Sequence, residues 1–268
     1  MIGVERGHEA EQGGFGAVYV KVVNTVLVML LAGLCLVVGM APLFAVAFGV
    51  GDLSYWPGYI IAAALSAPGL AAEFAVFRDH PTLFSANALS RRIGIGRNGE
   101  TSYRPEGIAD PYVRVDSSVA FARPFLRAYA RLFPRALAMG AMFMALVFCF
   151  VYDLLLFMQT AWGVAVVPLM VVCMVVAIQS MLISLVLVVE CPNANVLTLA
   201  RNAVLLSVRR IPIVIVSIVA IGGYLWGLAS AGLLVLVFAT GVVAYVVWAS
   251  ARWQADVLLG RLAEARID

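Results

Sequence analysis

"RAYARLFPRALAMG", residues 127–140, sets a basic ladder directly against a run that reads as membrane interior. Arg127, Arg131 and Arg135 recur every four residues, Arg123 stands one step earlier, and no charged side chain follows until Asp153. A spacing of four places side chains on one face of a helix. Arg123, Arg127 and Arg131 share such a face; Phe121, Phe125, Tyr129 and Leu132 fall on the other. The pattern predicts an amphipathic helix in the cytoplasmic interface, its apolar face in lipid and its arginines on acidic headgroups. Ser117 or Ser118 can cap its start, and Pro124 suits a first helical turn. Pro134 is expected to end it before the chain turns into the bilayer.

The rest of the chain agrees with a membrane setting. Of 268 residues, 63% are hydrophobic and 12% charged, about half the charged share of soluble domains. Several runs exceed the roughly 20 apolar residues that cross a bilayer. The runs are continuous, whereas a β-barrel needs alternating segments. The fold class is therefore an all-α membrane protein with six transmembrane helices, at about 22–48, 56–77, 136–158, 164–189, 211–228 and 230–250. The last two are divided only by residues 227–232, which suggests a tight hairpin. The first apolar run is much longer than a signal-peptide core, so it is expected to remain as a span. Residues 1–20 carry Glu5, Glu9 and Glu11 and are expected to form a short tail.

Orientation follows from the 18 basic residues. Ten lie between spans two and three, and the others lie before span one, between spans four and five, and after span six. Six spans place all of them on one side, and the positive-inside rule makes that side cytoplasmic, together with both termini. The predicted location is a cell membrane, crossed several times. The outer connections are short; 49–55 is the longest. Recognition by surface contact is therefore expected from the cytoplasm or within the membrane.

A second interfacial helix is expected in "NVLTLARNAVLLSVRRIP", 195–212. Thr198, Arg201, Asn202 and Arg209 share a face; Leu197, Val204, Leu205 and Val208 cover much of the rest. Asn193 or Asn195 can cap it, and Pro212 stands where the next span begins. A shorter version, "FGAVYVKVVN" (15–24), precedes span one. The chain thus suggests a repeat of interfacial helix plus transmembrane hairpin. Two readings of these helices stand side by side: anchors that satisfy the positive-inside rule, or a basic face for lipid or a partner, with Arg123, Arg127, Arg131, Arg201 and Arg209 as contacts.

Reactive chemistry is sparse. No G-x-S-x-G or H-E-x-x-H occurs, and "GIGRNG" (94–99) lacks the Lys-Ser/Thr of a phosphate loop. His8 and His80 are far apart in sequence, and Cys35, Cys149, Cys173 and Cys191 lack paired metal or redox spacing. No catalytic residue, cofactor, metal or nucleic-acid partner is expected. The polar groups within or at the ends of spans are Glu73, Asp153, Gln179 and Glu190, where a charge costs on the order of 2.5–3.5 kcal/mol on insertion scales. Glu73 and Glu190 are expected to pair with interface arginines such as Arg78 and Arg209. Asp153 has no basic residue on its side of the membrane and either meets outer water beside Gln159 or has a functional role. Gly33, Gly223 and Gly227 are candidate close-approach sites between helices.

Three stretches resemble the YesL-like family of bacterial integral membrane proteins, a domain of unknown function. They are "VVNTVLVMLLAGLCLVVGMAPLFAV" (22–46), "APGLAAEFAVFRD" (67–79) with "FARPFLRAYARLFPRAL" (121–137), and "LTLARNAVLLSVRRIPIVIV" (197–216). The cytoplasmic loop 78–118 is longer than the family pattern leads one to expect. The resemblance implies a non-enzymatic accessory or scaffold subunit beside the permease subunits of a bacterial carbohydrate ABC importer. The alternative is an independent small-solute transporter or channel, which requires a polar path through the bundle.

Overall fold

The computed structural model describes residues 15–79, 121–160 and 163–264. Among them the protein is all-α, with one short 3-10 turn and no strand. Helix α1 runs Phe15–Gly39, α2 Ala41–Gly49, α3 Trp56–Asp79, α4 Ala122–Phe157 and α5 Gly163–Glu190. Helix α6 runs Val196–Arg209, α7 Ile211–Ala231, α8 Leu233–Phe238 and α9 Thr240–Glu264. The 3-10 turn Leu53–Tyr55 joins α2 to α3 and is capped by the Asp52 carboxylate, which accepts from the Ser54 amide at 2.9 Å. The Ser54 hydroxyl also donates to this carboxylate, and that bond first, then the amide bond, holds the exposed Asp52 carboxyl below its ordinary range. The acidic tail, most of the 78–118 loop with "GIGRNG", the two histidines and the serine caps at 117 and 118 lie outside the described residues.

Among the described residues, five helices are long and apolar enough to cross a membrane: Val22–Gly39, Trp56–Asp79, Ala122–Phe157, Ala165–Glu190 and Ile211–Ala231. They overlap the first five expected spans, but the first, 22–48, is divided at Met40 between α1 and α2, and the third begins well before residue 136, at Ala122. The sixth differs. Its sequence is divided between α8 and the start of α9, and α9 then runs on through Arg252 to Glu264. Hydrogen bonds from Ala239 N–H to the Val235 carbonyl and from Val243 N–H to the Ala239 carbonyl bridge the interruption. The expected hairpin between α7 and this segment is present. Gly232 turns it with φ +49°, a left-handed conformation open to glycine, and the hydroxyls of Tyr224 and Thr240 bond across it at 2.8 Å.

The interfacial helices depart from expectation in three ways. First, α4 does not break at Pro134; one helix of 36 residues carries the ladder and the span. The proline removes one N–H bond, but its own ring is exposed, while Leu132, Ala136 and Met139 on either side of it are buried and keep the helix whole. Second, the apolar side of the ladder faces protein and not lipid. Phe121, Phe125 and Leu132 are core residues, and the Phe125 ring edge abuts Gly39. Third, α6 buries Leu199, Ala200, Ala203 and Leu206, a face the sequence pattern did not single out, and exposes Leu197, Val204, Leu205 and Val208 together with Thr198, Arg201 and Arg209. Its cap is as expected: Asn195 accepts from the Leu197 amide at 3.0 Å. The threefold repeat is not reproduced. Only α6 is separated from its span, at Arg210, whereas α1 and α4 each merge interfacial and spanning segments.

The core sits around the end of α5, where residues 179–191 are buried without interruption. Helices α3, α4, α6 and α9 all pack on α5. Helix α6 doubles back along it, with Ser180 donating to the Ser207 hydroxyl at 3.0 Å. By contrast α7 is scarcely buried, as suits a helix facing lipid. Close packing elsewhere rests on glycine. Gly33 meets Gly241 where α1 crosses α9, and Gly39 meets Gly69 where α1 crosses α3. Of the other expected glycines, Gly227 contacts only the Val235 side chain, and Gly223 has nothing within 4 Å and faces outward.

Candidate functional site: a buried ionic junction and an exposed arginine face

Glu190, the last residue of α5, lies at the centre of a chain of charges that joins three helices. One carboxylate oxygen accepts from Arg252 of α9, and the other stands 3.6 Å from Arg78 Nη1 at the end of α3. Arg78 also donates to the Val189 carbonyl at 3.2 Å and grips the Asp79 carboxylate with two nitrogens, at 2.7 and 3.0 Å. Glu190 is 1% exposed, and Arg78 and Arg252 are 7% exposed. Two positive and two negative groups make the junction neutral, which permits charges at this depth. The adjoining Cys191 thiol is pushed up to about 11, mainly by burial and then by the Glu190 carboxylate, against a smaller opposing effect of Arg78.

An aromatic wall backs the junction. The rings of Phe77, Tyr245 and Trp248 lie 5.5–5.8 Å apart, and the Arg252 guanidinium stands 5.7 Å over Trp248. The guanidinium is thus stabilised by both a carboxylate and a ring face. Gln179 of α5 donates to Gln254 of α9 at 3.4 Å, so the one uncharged polar residue singled out within a span also serves the α5–α9 contact.

The expected pairing with an interface arginine is present for Glu190 and absent for Glu73. Glu190 takes Arg78 and Arg252, and Arg209 is instead exposed on α6. Glu73 does not pair with Arg78. Five residues apart on one helix, the two point to different faces, and Arg78 is engaged by Asp79 and Glu190. Glu73 is fully buried, and neither of its oxygens has a hydrogen-bond donor. Asp153 is half-buried and makes no ion pair among the described residues.

Arg123, Arg127, Arg131, Arg201 and Arg209 all lie exposed. Their neighbours are used internally: Arg135 donates to the Ala194 carbonyl at 2.8 Å, and Arg210 to the Trp253 carbonyl at 3.2 Å. These two bonds fasten the ends of α6 to α4 and α9.

Sequence reasoning missed Arg252 and Gln254, because it ended the sixth span at Ser250, and Trp248, because an aromatic ring inside a span reads as one more apolar residue. The signal was present: Ala244, Val247, Trp248, Ala251, Ala255 and Leu259 keep a helical apolar period past Ser250, and all are buried. No family model matches the chain, and neither the curated proteins nor the solved structures contain a match. Fold and junction define the class, a helical protein with several membrane-length apolar helices tied together by a buried ion network. The likeness to YesL-like proteins rests on the three quoted stretches alone.

Proposed function

We propose that this chain is a YesL-like accessory or scaffold subunit of the bacterial cell membrane, with six spans and both termini in the cytoplasm, that associates with the permease subunits of a carbohydrate ABC importer. The observation that supports the reading is how the charges divide. Arg78, Asp79, Glu190 and Arg252 are spent on holding α3, α5 and α9 together, whereas Arg123 and Arg127 face outward with no ion pair among the described residues. A protein with its junction charges closed on one another and a basic face turned out is suited to holding a partner. Purification in mild detergent from the native host, with mass-spectrometric identification of what accompanies it, tests this. Permease subunits in stoichiometric amount are expected. A homogeneous lone protein that moves solute in liposomes would overturn the reading.

One observation favours the alternative, an independent transporter: the buried, unbonded Glu73 carboxylate. If Glu73 serves transport, liposome uptake by the purified protein depends on it and is abolished by Glu73→Gln. Under the accessory reading no such uptake exists to abolish.

The six-span topology has its own test. Single cysteines replacing Asp52 and Asn98 in cysteine-free protein are expected to react with impermeant maleimide from opposite sides. Labelling at position 98 from outside intact cells would end the both-ends-in arrangement.

A further inference from the structure

The continuity of α4 changes what its arginines can touch. At 1.5 Å per residue its 36 residues extend about 54 Å. The part from Ala136 to Phe157, whose single charge, Asp153, lies about 6 Å from its outer end, provides about 33 Å, enough for a hydrocarbon core of about 30 Å. Arg135 therefore marks the boundary, and the segment before it projects. Along the axis Arg131 stands about 6 Å beyond Arg135, Arg127 about 12 Å and Arg123 about 18 Å. At a tilt of about 25°, the largest at which this part still spans the core, Arg123 clears the boundary by about 16 Å. The headgroup layer is only about 5–8 Å deep, so Arg123 lies beyond it by an amount comparable with the screening length of about 8 Å at physiological salt.

Nor can the segment fold down onto the lipid. Phe121, Phe125 and Leu132 lock it into the core, and no break occurs at Pro134. Its outward face carries more than charge. Leu126 is 61% exposed between Arg123 and Arg127. An apolar side chain flanked by arginines is the composition of a protein-binding patch, since arginine is enriched where binding energy concentrates.

We propose that Arg123, Leu126 and Arg127 dock an acidic protein surface held clear of the membrane, and not anionic lipid. The proposal rests on the reading of this chain as a partner-holding subunit and assigns the face on which the partner sits. Three measurements on the full-length protein test it. In the first, Ala122→Cys and Ala138→Cys in cysteine-free protein carry a fluorophore in vesicles of brominated phosphatidylcholine. Strong quenching at position 138 and little at 122 are expected, with no change when a fifth of the lipid is phosphatidylglycerol. Equal quenching at both positions would mean that the segment lies on lipid, and the proposal would fall.

In the second, a fluorescent decaglutamate peptide serves as a defined acidic probe for protein held in phosphatidylcholine nanodiscs. Its affinity is expected to fall tenfold or more in Arg123→Glu/Arg127→Glu, while circular dichroism and monodispersity are retained. An unchanged affinity counts against the face. In the third, the same double variant is expected to lose the partners that the wild type retains in mild detergent. Retention of those partners by the double variant would refute this docking face and leave the accessory function intact. A wild type that brings down no partner would sink the accessory function itself.

Discussion

Glu190→Ala is expected to destabilise the protein by about 3–5 kcal/mol, the cost of removing one partner from a buried ion pair. The change leaves Arg252 7% exposed with no carboxylate, its remaining support being the Trp248 ring and the surrounding packing. Arg78 suffers less, because Asp79 still holds it with two hydrogen bonds. The loss is therefore expected mainly at the α5–α9 contact. Equilibrium unfolding in mixed micelles reads it, as a lower midpoint for the variant. Glu190→Leu/Arg252→Met provides the control. Replacing both members by apolar residues removes the uncompensated charge, and such replacements are often neutral, so most of the lost stability should return. A cost below about 1 kcal/mol for Glu190→Ala would place the pair in the range of exposed salt bridges and contradict the burial of the junction.

The contrast between Glu190 and Pro134 explains which features the sequence discloses. Span positions are legible because hydropathy is additive along the chain. Residues 164–189 were expected as the fourth span, and α5 runs Gly163–Glu190. The Asn195 cap is equally local. Pro134 misleads because its effect on a helix is local, whereas the packing of Leu132, Ala136 and Met139 that overrides it is tertiary. The buried face of α6 was missed for a related reason. Both sides of that helix are apolar, and only its return along α5 decides which side is buried. Arg252 was assigned to a tail because the sixth apolar run was taken to end just before it, at Ser250. Its partner is 62 residues away, a separation at which no spacing rule operates. Glu73 was legible as an intramembrane carboxylate, but the engagement of Arg78 elsewhere, which leaves it unbonded, emerges only when three helices are assembled.

The position of α9, and with it Arg252, depends on a glycine crossing, and Gly241→Ala is expected to cost about 3 kcal/mol, the upper end of the overpacking range. A β-carbon on Gly241 would collide with the Met29 carbonyl oxygen and lie 2.9 Å from the Gly33 amide nitrogen. Both obstacles are backbone of α1, so no side-chain rotation relieves them and the helices must separate. Separation carries α9 away from α1 along a contact that lies about three helical turns before Arg252, so the Glu190 pairing should weaken as well. Two measurements follow from that coupling. The unfolding midpoint of Gly241→Ala should fall, and in the double variant Gly241→Ala/Glu190→Ala the combined loss should be smaller than the sum, because each change damages the same α5–α9–α1 assembly. Gly223→Ala supplies the comparison. It lies on the outward face of α7 with nothing within 4 Å, where alanine is favoured over glycine in a helix by roughly 0.5–1 kcal/mol, so its midpoint should be unchanged or slightly raised. If Gly241→Ala behaves like Gly223→Ala, the α1–α9 crossing is looser than backbone contact, and the placement of Arg252 must rest on the ion pair alone.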